Sequence, residues 1–431
     1  MSGVFHFAGN IRKGVSAMDG AAERIKKRAY ELKDEIVRDR RFLHQNPEIG
    51  MDLPETSAYI RKRLDEMGIP WKECGGALPP KMTEDYVEAG FPRMEKETGV
   101  TAVIGHGAPC ILLRADMDAL PVREDNELDY KSCSSFGHMC GHDSHAAMLL
   151  GAARILKEME DELCGSVKLM FQPGEETGAG ARLMVEDGAL EDPGVDAAFG
   201  LHVQPTDPVG QVGYAVGVNS ASLDTFILKI HGRGGHSSQP QLCTDPLMIM
   251  NQVYQAVNLL AGREADPAAM VALTCGVAKG GTAVNIIPDE AELHIGVRTL
   301  DVEAAEHLKR RIPEIIDHYV KAWNGEYDLT VFHTPCTFSD EELCAGIVPH
   351  IREIVGEENV RRIPPMTGTE DFGYVTKEVP GMFAFIGAGR PGNAPLHSPK
   401  MILDEEVLPI GAAVHANAAY AWLREHGKEN G

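Results

Sequence analysis

The chain has 431 residues, 43% hydrophobic and 24% charged, with 64 acidic against 41 basic side chains. A formal charge of -23 argues against nucleic acid or an anionic membrane surface as the main partner, because phosphates attract the opposite sign. No apolar run approaches the roughly 18 residues of a spanning helix, residues Met1 to Met18 lack the apolar core of a secretory signal, and nine cysteines are too few, and odd in number, for a disulfide scaffold. A reducing cytoplasm is therefore the expected compartment.

Taken in chain order, Asp19 to about Asn46 is charged and helix-favouring, with Ile25, Leu32, Ile36, Phe42 and Leu43 tracing one face and Pro47 fitting its end. A second helix is predicted from about Thr56 to Met67. Gly75 to Gly99 carries Pro79-Pro80, several acids and little periodicity, which predicts an insertion bordering something, or a plain surface loop. Ile111-Leu112-Leu113 then leads to Asp116 and Asp118, and a helix is predicted from about His145 to Glu158. Val167, Leu169 and Phe171 alternate as a strand that ends in Gln172-Pro173-Gly174-Glu175-Glu176. A helix near Ala181 to Glu186 and a strand at Ala197 to Leu201 follow. Strands alternating with helices indicate an open α/β sheet.

At about Ser220 the pattern changes. Phe226, Leu228 and Ile230 alternate, a helix spans Pro246 to Leu260, and strands are predicted at Met270 to Val277 and Glu290 to Thr299. A helix over about Val302 to Ala322, broken or kinked at Pro313, and a strand at Asp328 to His333 complete a β-α-β-β-α-β order, the ferredoxin-like unit. From about Pro335 the α/β character returns, with a helix near Glu341 to Val355, a strand at Met382 to Ile386 and a closing helix. The expected fold is thus an α/β open mixed sheet over 1-219 and 335-431, interrupted by a ferredoxin-like unit over 220-334.

The chemistry collects in a few places. His138-Met139-Cys140-Gly141-His142-Asp143-Ser144-His145 holds three histidines and a cysteine, strong ligands for zinc-like ions. The alternative is a helix N-terminus capped by Asp143 or Ser144, with its histidines solvated. Glu175-Glu176 follow a strand and a Pro-Gly turn, which can aim one carboxylate at a metal and leave the other free to move protons. His202 sits where a predicted strand ends, and His397 lies in a loop after another. Ligands of open α/β sheets bind outside the carboxyl ends of strands. The Cys140/His142 loop, the Glu175/Glu176 pair, His202 and His397 supply five potential ligands, which exceed one tetrahedral site and suit two ions sharing a bridging group. In the interrupting unit, Gly234-Gly235-His236-Ser237 presents His236, for which an exposed hairpin histidine is the plainer reading from spacing alone. Asn285 and Arg298 are polar groups near apolar runs. Arginine suits carboxylate recognition, and a salt bridge within the unit is the alternative.

These residues resemble the dinuclear-metal amidohydrolases that include aminoacylases, hippurate hydrolases and indole-acetyl-amino-acid hydrolases. The resemblance runs from Arg41-Phe42-Leu43-His44-Gln45-Asn46-Pro47-Glu48 to the C-terminus. It rests on Leu113 to Pro121, Cys140-Gly141-His142-Asp143, Gln172 to Glu176, Gly235-His236-Ser237, Asn285-Ile286-Ile287-Pro288, Gly368 to Phe372 and His397-Ser398. It implies that Cys140 bridges two divalent ions (zinc, manganese, cobalt or nickel), with His142 and His202 completing one site and Glu176 and His397 the other. Glu175 would be the general base, taking a proton from the water between the ions and passing it to the leaving nitrogen. Asp118 would orient the ligand histidines from behind. His236 would come from the partner subunit of a homodimer formed through the interrupting unit, which would also act as a lid, and would stabilise the oxyanion. Asn285 and Arg298 would hold the substrate carboxylate. The sequence departs from its relatives at Asp116-Met117-Asp118, where many carry a His-x-Asp ligand pair, at Gly174 and Thr177 beside the paired glutamates, and at Gln239 to Thr244. The stretch from Gly75 to Gly99 resembles the aminobenzoyl-glutamate hydrolase branch. The implied reaction is metal-dependent hydrolysis of the amide bond of N-acyl or N-aroyl amino acids. The alternatives are an exopeptidase acting on dipeptides at the same site, or a non-catalytic protein that binds a metal or an amino-acid conjugate.

Overall fold

The computed structural model describes residues 11-427, with side chains from residue 20 onward. The whole Met1 to Met18 stretch considered above therefore lies outside the described side chains. The chain opens with α1 (Ile11–Glu31), α2 (Lys33–Gln45), α3 (Pro54–Met67), β1 (Trp71–Ala77), α4 (Pro80–Glu88), β2 (Lys96–Gly105), β3 (Cys110–Asp116) and α5 (His142–Glu158). It continues through β4 (Ser166–Gln172), α6 (Gly180–Glu186), β5 (Ala197–Pro208), β6 (Val212–Tyr214) and β7 (Gly217–Ser220). A second group comprises β8 (Ser222–His231), β9 (Gly235–His236), α7 (Pro246–Arg263), β10 (Val271–Gly280), β11 (Ile286–Ile287), β12 (Glu290–Thr299), α8 (Val302–Ala322) and β13 (Glu326–Thr334). The chain closes with β14 (Thr337–Ser339), α9 (Glu341–Val355), β15 (Val360–Arg362), α10 (Gly373–Glu378), β16 (Gly381–Gly389) and α11 (Val407–His426).

Eight strands form one mixed sheet in the order β1-β2-β4-β3-β5-β16-β6-β15. Its centre, β4-β3-β5-β16, is parallel throughout. Every residue of β3 and β4 is buried, as expected of parallel strands covered on both faces. One face packs Leu113, Leu169 and Phe199 against α5 and α11, through Leu149, Ala153 and Val414 among others. The opposite face packs Leu112, Met170 and Phe383 against α6 and α10, through Met184 and Val375.

A second, antiparallel sheet has the order β10-β12-β8-β13. Along β12 burial alternates strictly, so one face is core and the other looks outward. The core face (Phe226, Leu228, Leu293, Ile295) meets Ile249, Val253 and Val257 of α7 and Leu308, Ile312 and Ile316 of α8.

Three expectations are corrected. The first predicted helix is two, interrupted only at Leu32 between α1 and α2. Helix α8 runs unbroken through Pro313. Leu308, Ile312, Ile316 and Val320 are fully buried on one stripe. At about 1.5–3 kcal/mol each, they outweigh the roughly 3 kcal/mol a helical proline costs. The stretch from Gly75 to Gly99 is not a plain surface loop, and it does border a large cavity through Tyr86, Ala89 and Phe91. Its ends belong to β1 and β2, which pair antiparallel from Trp71↔Ala102 to Ala77↔Lys96, and α4 lies between them. Local periodicity misses this because the partner of each β1 residue lies some twenty or more positions away. Among the described residues no helix is long and apolar enough to cross a membrane, and all nine cysteines are unbonded.

Candidate metal centre

The four parallel strands end on one rim of the large sheet, and the ligand candidates gather there. Past β4, Gly174 (φ 71°) turns the chain into a short 3-10 turn, Glu175–Thr177. A Cβ at Gly174 would meet Met51 Cγ at 2.7 Å, so both conformation and space require glycine. Gly141 (φ 87°) likewise starts α5, and a Cβ there would lie 2.5 Å from Val203 Cγ2. Helix α5 begins at His142, three residues before its predicted start, and has no side-chain cap. Asp143 does not cap it. The carboxylate instead accepts from Arg40 Nε at 2.8 Å and faces His44 Nδ1 at 2.9 Å. Strand β5 runs on past His202 to Pro208, so His202 is not at a strand end. Its ladder with β3 does stop at Arg114↔Gly200, which leaves His202 on the rim. His397, with φ 66°, is pinned in the loop after β16 by its N–H donating to Met139 O at 2.7 Å, a bond that ties this loop to the Cys140 turn.

Five groups of three potential ligand atoms lie within 4.8 Å of one another among the described residues, and two of them share Cys140: Cys140, His142 and His202 in one, and Cys140, Glu176 and His397 in the other. Cys140 belongs to both. Its sulfur stands 3.6 Å from His202 Nε2, and His397 Nε2 is 3.4 Å from Glu176 Oε1. The tautomers follow from the main chain. His202 Nδ1 lies 2.7 Å from the carbonyl of Val203, which can only accept, so the proton is on Nδ1 and the Nε2 lone pair points to Cys140. This is the arrangement that orients a ligand histidine. For His145, Val203 N–H donates to Nε2 at 2.9 Å, which forces the proton onto Nδ1, 2.5 Å from Asp116 Oδ1. Both nitrogens of His145 are therefore engaged, and it buttresses the site without offering it a lone pair.

The donors fit a cation. His142 is completely buried, yet neither ring nitrogen has a hydrogen-bond partner, and Glu176 Oε1 has only the ion pair with His397 at 3.4 Å. The nearest carboxylate oxygens to His142 are those of Asp118 (3.4 Å), Asp116 (3.7 Å) and Glu175 (4.0 Å). Buried polar atoms are seldom left this way without an ion or water, and a sulfur, nitrogen and oxygen set suits borderline divalent metals. The electrostatics agree. Burial, then Glu370 and Glu176, pushes the Glu175 carboxyl well above the usual carboxylate range. Burial and Glu176 also push the Cys140 thiol up. His397 is raised to about 10 by its bonds to Cys140 and Glu176. Burial opposes ionisation of Asp116, but Arg114, His142 and His145 outweigh it and hold that carboxyl well below its ordinary range. The site thus carries an excess of acidic groups that divalent charge would neutralise.

Asp118 does more than face His142. Its two oxygens accept the backbone N–H groups of Glu175 and Glu176, each at 3.0 Å, so the carboxylate that faces the histidine also fixes the turn that carries the paired glutamates. Behind the site, the buried Arg114 guanidinium donates to Gln172 Oε1 (2.8 Å), Asp116 Oδ2 (2.7 Å), Glu370 Oε1 (2.8 Å) and Asp371 Oδ1 (3.0 Å). Arg114, Asp116, His145 and Glu370 carried no role in the sequence reading. The available signal was a charged residue inside an otherwise apolar strand, Leu113-Arg114-Ala115-Asp116.

The centre opens into a cavity of about 850 Å³ between the two sheets, within the range of small-molecule sites. Arg298, on β12, lines it. Burial draws its pKa down, Nη1 donates to Thr369 Oγ1 at 2.5 Å, and no carboxylate among the described residues pairs with it. The salt bridge within the unit is therefore absent there. His236 and Asn285 are not brought to this cavity. They sit together on the small β9–β11 ladder, where His236 pairs with Ile286 and the Asn285 carbonyl accepts from Ser237 N–H at 3.2 Å. His236 is exposed, and its Nδ1 accepts from Ser238 N–H at 3.1 Å.

Known proteins resemble this chain in sequence and in fold. The profile described as peptidase family M20/M25/M40 matches residues 112-421. The chain is 38% identical over 402 residues to IAA-amino acid hydrolase ILR1-like 4 of Arabidopsis thaliana, covering 91% of this chain and 86% of that one. It is 36% identical over 382 residues to N-acetyl-L-cysteine deacetylase of Bacillus subtilis (strain 168), covering 88% and 85%. Among solved structures, a dinuclear metal binding peptidase of the M20 family from Bacillus subtilis superposes with a TM-score of 0.71 at 29% identity, over 92% of this chain and 99% of that one. The chain belongs to the peptidase family M20/M25/M40, and it is a metal-dependent amidohydrolase.

Proposed function

We propose that the protein hydrolyses the amide bond of N-acyl or N-aroyl amino acids. The observation that carries this reading is the pair of ligand groups sharing Cys140, with Glu175 beside them but outside both, at one end of a cavity whose other wall presents Arg298, free of any carboxylate partner among the described residues. His142 and His202 would hold one divalent ion and Glu176 and His397 the other, with Cys140 between them. Zinc, manganese, cobalt and nickel all suit this donor set. When bound, the ions supply Lewis acidity that lowers the pKa of coordinated water and polarises the amide carbonyl.

The chain's own groups supply the rest. The Glu175 carboxylate takes a proton from the attacking water and returns it to the leaving nitrogen, as its position 4.0 Å from His142 Nε2 permits. Asp118 keeps the Glu175–Thr177 turn in register with His142. Arg298 holds the substrate carboxylate through a charge-assisted bond. We place the catalytic domain at 1-219 and 335-431 and a ferredoxin-like lid at 220-334. The lid would also form a homodimer, so that His236 and Asn285 of the partner subunit reach the site and His236 stabilises the oxyanion. A thiol at the centre of the site requires a reducing compartment, for which the cytoplasm is our assignment.

The test is Glu175→Gln in protein reconstituted with each metal in turn. The variant is expected to retain its metal while losing nearly all turnover of a panel of acyl-amino-acid conjugates read by mass spectrometry. Full activity in the variant would remove Glu175 from the base role, and a wild-type protein inert on the whole panel would remove the reaction.

A further inference from the structure

Arg114 gathers Asp116, Glu370 and Asp371 behind the metal centre, and of these three carboxyls only Glu370 lines the cavity. It sits in the turn Gly368-Thr369-Glu370-Asp371-Phe372 that leads into α10, and the turn is tied down on both sides. Thr337 Oγ1 donates to Glu370 O at 2.7 Å, and Ala221 N–H donates to Gly368 O at 2.9 Å. Within the side chain the two oxygens differ. Oε1 accepts from Arg114 Nη2 at 2.8 Å and from Phe372 N–H at 2.9 Å, whereas Oε2 has only the longer bond from Arg114 Nη1, at 3.3 Å. One oxygen is thus saturated, and the other keeps a lone pair to offer the cavity.

Two neighbours locate that lone pair on the reaction. The first is Glu175, one of whose carboxylate oxygens lies within 4.8 Å of one of Glu370. A leaving nitrogen must come within about 3 Å of Glu175 to be protonated. At the upper end of the 4.8 Å separation, a nitrogen about 2.9 Å from both oxygens subtends about 110°, the tetrahedral angle it acquires on taking a proton. Its own hydrogen can then point to Glu370 while the new one arrives from Glu175. The second neighbour is Arg298, which donates to Thr369, the residue before Glu370. In an amino acid one carbon separates nitrogen from carboxylate, so a carboxylate on Arg298 brings the nitrogen to this turn.

We propose that Glu370 is a further catalytic residue, which accepts the N–H of the scissile amide and stabilises the leaving nitrogen as it is protonated. This rests on the reaction proposed above. The bond becomes charge-assisted as positive charge develops on nitrogen, so it is stronger in the transition state than in the bound substrate. An ester offers no hydrogen at that position, and charge on its leaving oxygen is negative, so the same carboxylate gives it no help. In Glu370→Gln the amide oxygen replaces Oε1 between Arg114 and Phe372 N–H, which turns an N–H₂ toward the substrate's own N–H.

The experiment compares metal-reconstituted wild-type protein with Glu370→Gln on two amides, benzoyl-glycine and acetyl-phenylalanine, and on their ester counterparts, O-benzoyl-glycolate and O-acetyl-phenyllactate. Burial pushes the Glu370 carboxyl up while Arg114 draws it down, so the assays are run at about pH 8 to keep it ionised. The readout is the ratio of kcat/KM for each amide to that for its ester. In the variant this ratio is expected to fall about 10–100-fold, the usual loss for a hydrogen bond to a charged group. Loss of metal or of folded protein lowers both reactions and leaves the ratio alone. An unchanged ratio, with amide and ester falling equally, would overturn the proposal and leave Glu370 as a support of the Arg114 cluster. A wild-type protein inert on both amides would instead remove the reaction, and this role with it. Glu370→Asp, which keeps the charge beside Arg114 but withdraws it by one methylene, must lower the same ratio should Glu370→Gln not fold.

Discussion

Arg114 is the buried cation shared by the carboxyls behind the metal centre, and replacing it tests how far that cluster depends on it. In Arg114→Met the aliphatic bulk is kept, while the bonds to Asp116, Glu370 and Asp371 disappear. Asp371 suffers least, because both its oxygens still accept from Gln172 Nε2 and one from the Ala181 N–H. The cost falls on Asp116 and Glu370, which are 0% and 5% exposed. Breaking a buried ion pair from one side costs about 3–5 kcal/mol. For a chain of 431 residues, the unfolding entropy is about 0.9 kcal/mol/K, so Tm should fall by about 3–6 °C at pH 7.5. The pH dependence has a definite sign. Without Arg114 the folded-state pKa values of the orphaned carboxyls rise above their unfolded values, so they destabilise most at high pH and are relieved as acidification protonates them in the native state. Scanning calorimetry at pH 7.5 and 5.5 should therefore show a deficit that narrows at the lower pH. A Tm within about 1 °C of the wild type at pH 7.5, or a deficit that widens at pH 5.5, would refute the reasoning.

Asp118→Asn keeps one accepted backbone bond and turns an amide N–H₂ toward the other donor, so metal retention against a competing chelator should weaken about 10–100-fold with little change in Tm. His236→Ala should lose activity while keeping its fold and its metal, since the side chain is exposed. Mixing it with Glu175→Gln should restore about a quarter of wild-type activity, because half of the reassorted dimers would carry one complete site, and no recovery would place His236 in its own subunit's site or outside catalysis. His350 on α9 lies between Glu425 (2.9 Å) and Glu353 (3.2 Å). Burial lowers its pKa, but these two partners outweigh it and raise it to about 9. Its stabilisation should be complete below pH 6.5 and vanish as the pH rises through 9, so His350→Gln should cost about 1–2 kcal/mol at pH 6 and little at pH 10, as read by denaturant unfolding.

The sequence was informative where chemistry and position coincide. Cys140, Glu175, Glu176, His202 and His397 each combine a ligand atom with a place after or beside a predicted strand, and the parallel strand ends do bring them to one rim. It was silent where a group's meaning depends on distant partners. Nothing local distinguishes His145 from His142, for example. The first is removed from metal binding by Val203 N–H and Asp116, 58 and 29 positions away, and the second is left with free nitrogens. The tie between Arg114 and Glu370 spans 256 positions. Pro79-Pro80 suggested a loop, yet a proline pair also suits the start of a helix, and α4 has Pro79 as its N-cap and Pro80 as its first residue.

The two bonds made by the backbone of Val203 have a consequence for mutational tolerance. Its N–H fixes the His145 tautomer and its carbonyl fixes that of His202, so the donor geometry of one ligand and the orientation of its neighbour are both held by main-chain atoms of a single residue. No side-chain replacement at 203 other than proline, which lacks the N–H, removes either donor or acceptor. Val203→Ala should leave the His202 lone pair aimed as before, whatever it costs in packing against the Gly141 turn. The fragile position is 145, where any substitution severs the link between the β3 terminus at Asp116 and the β5 backbone, and with it the rigid spacing between two elements that carry the centre.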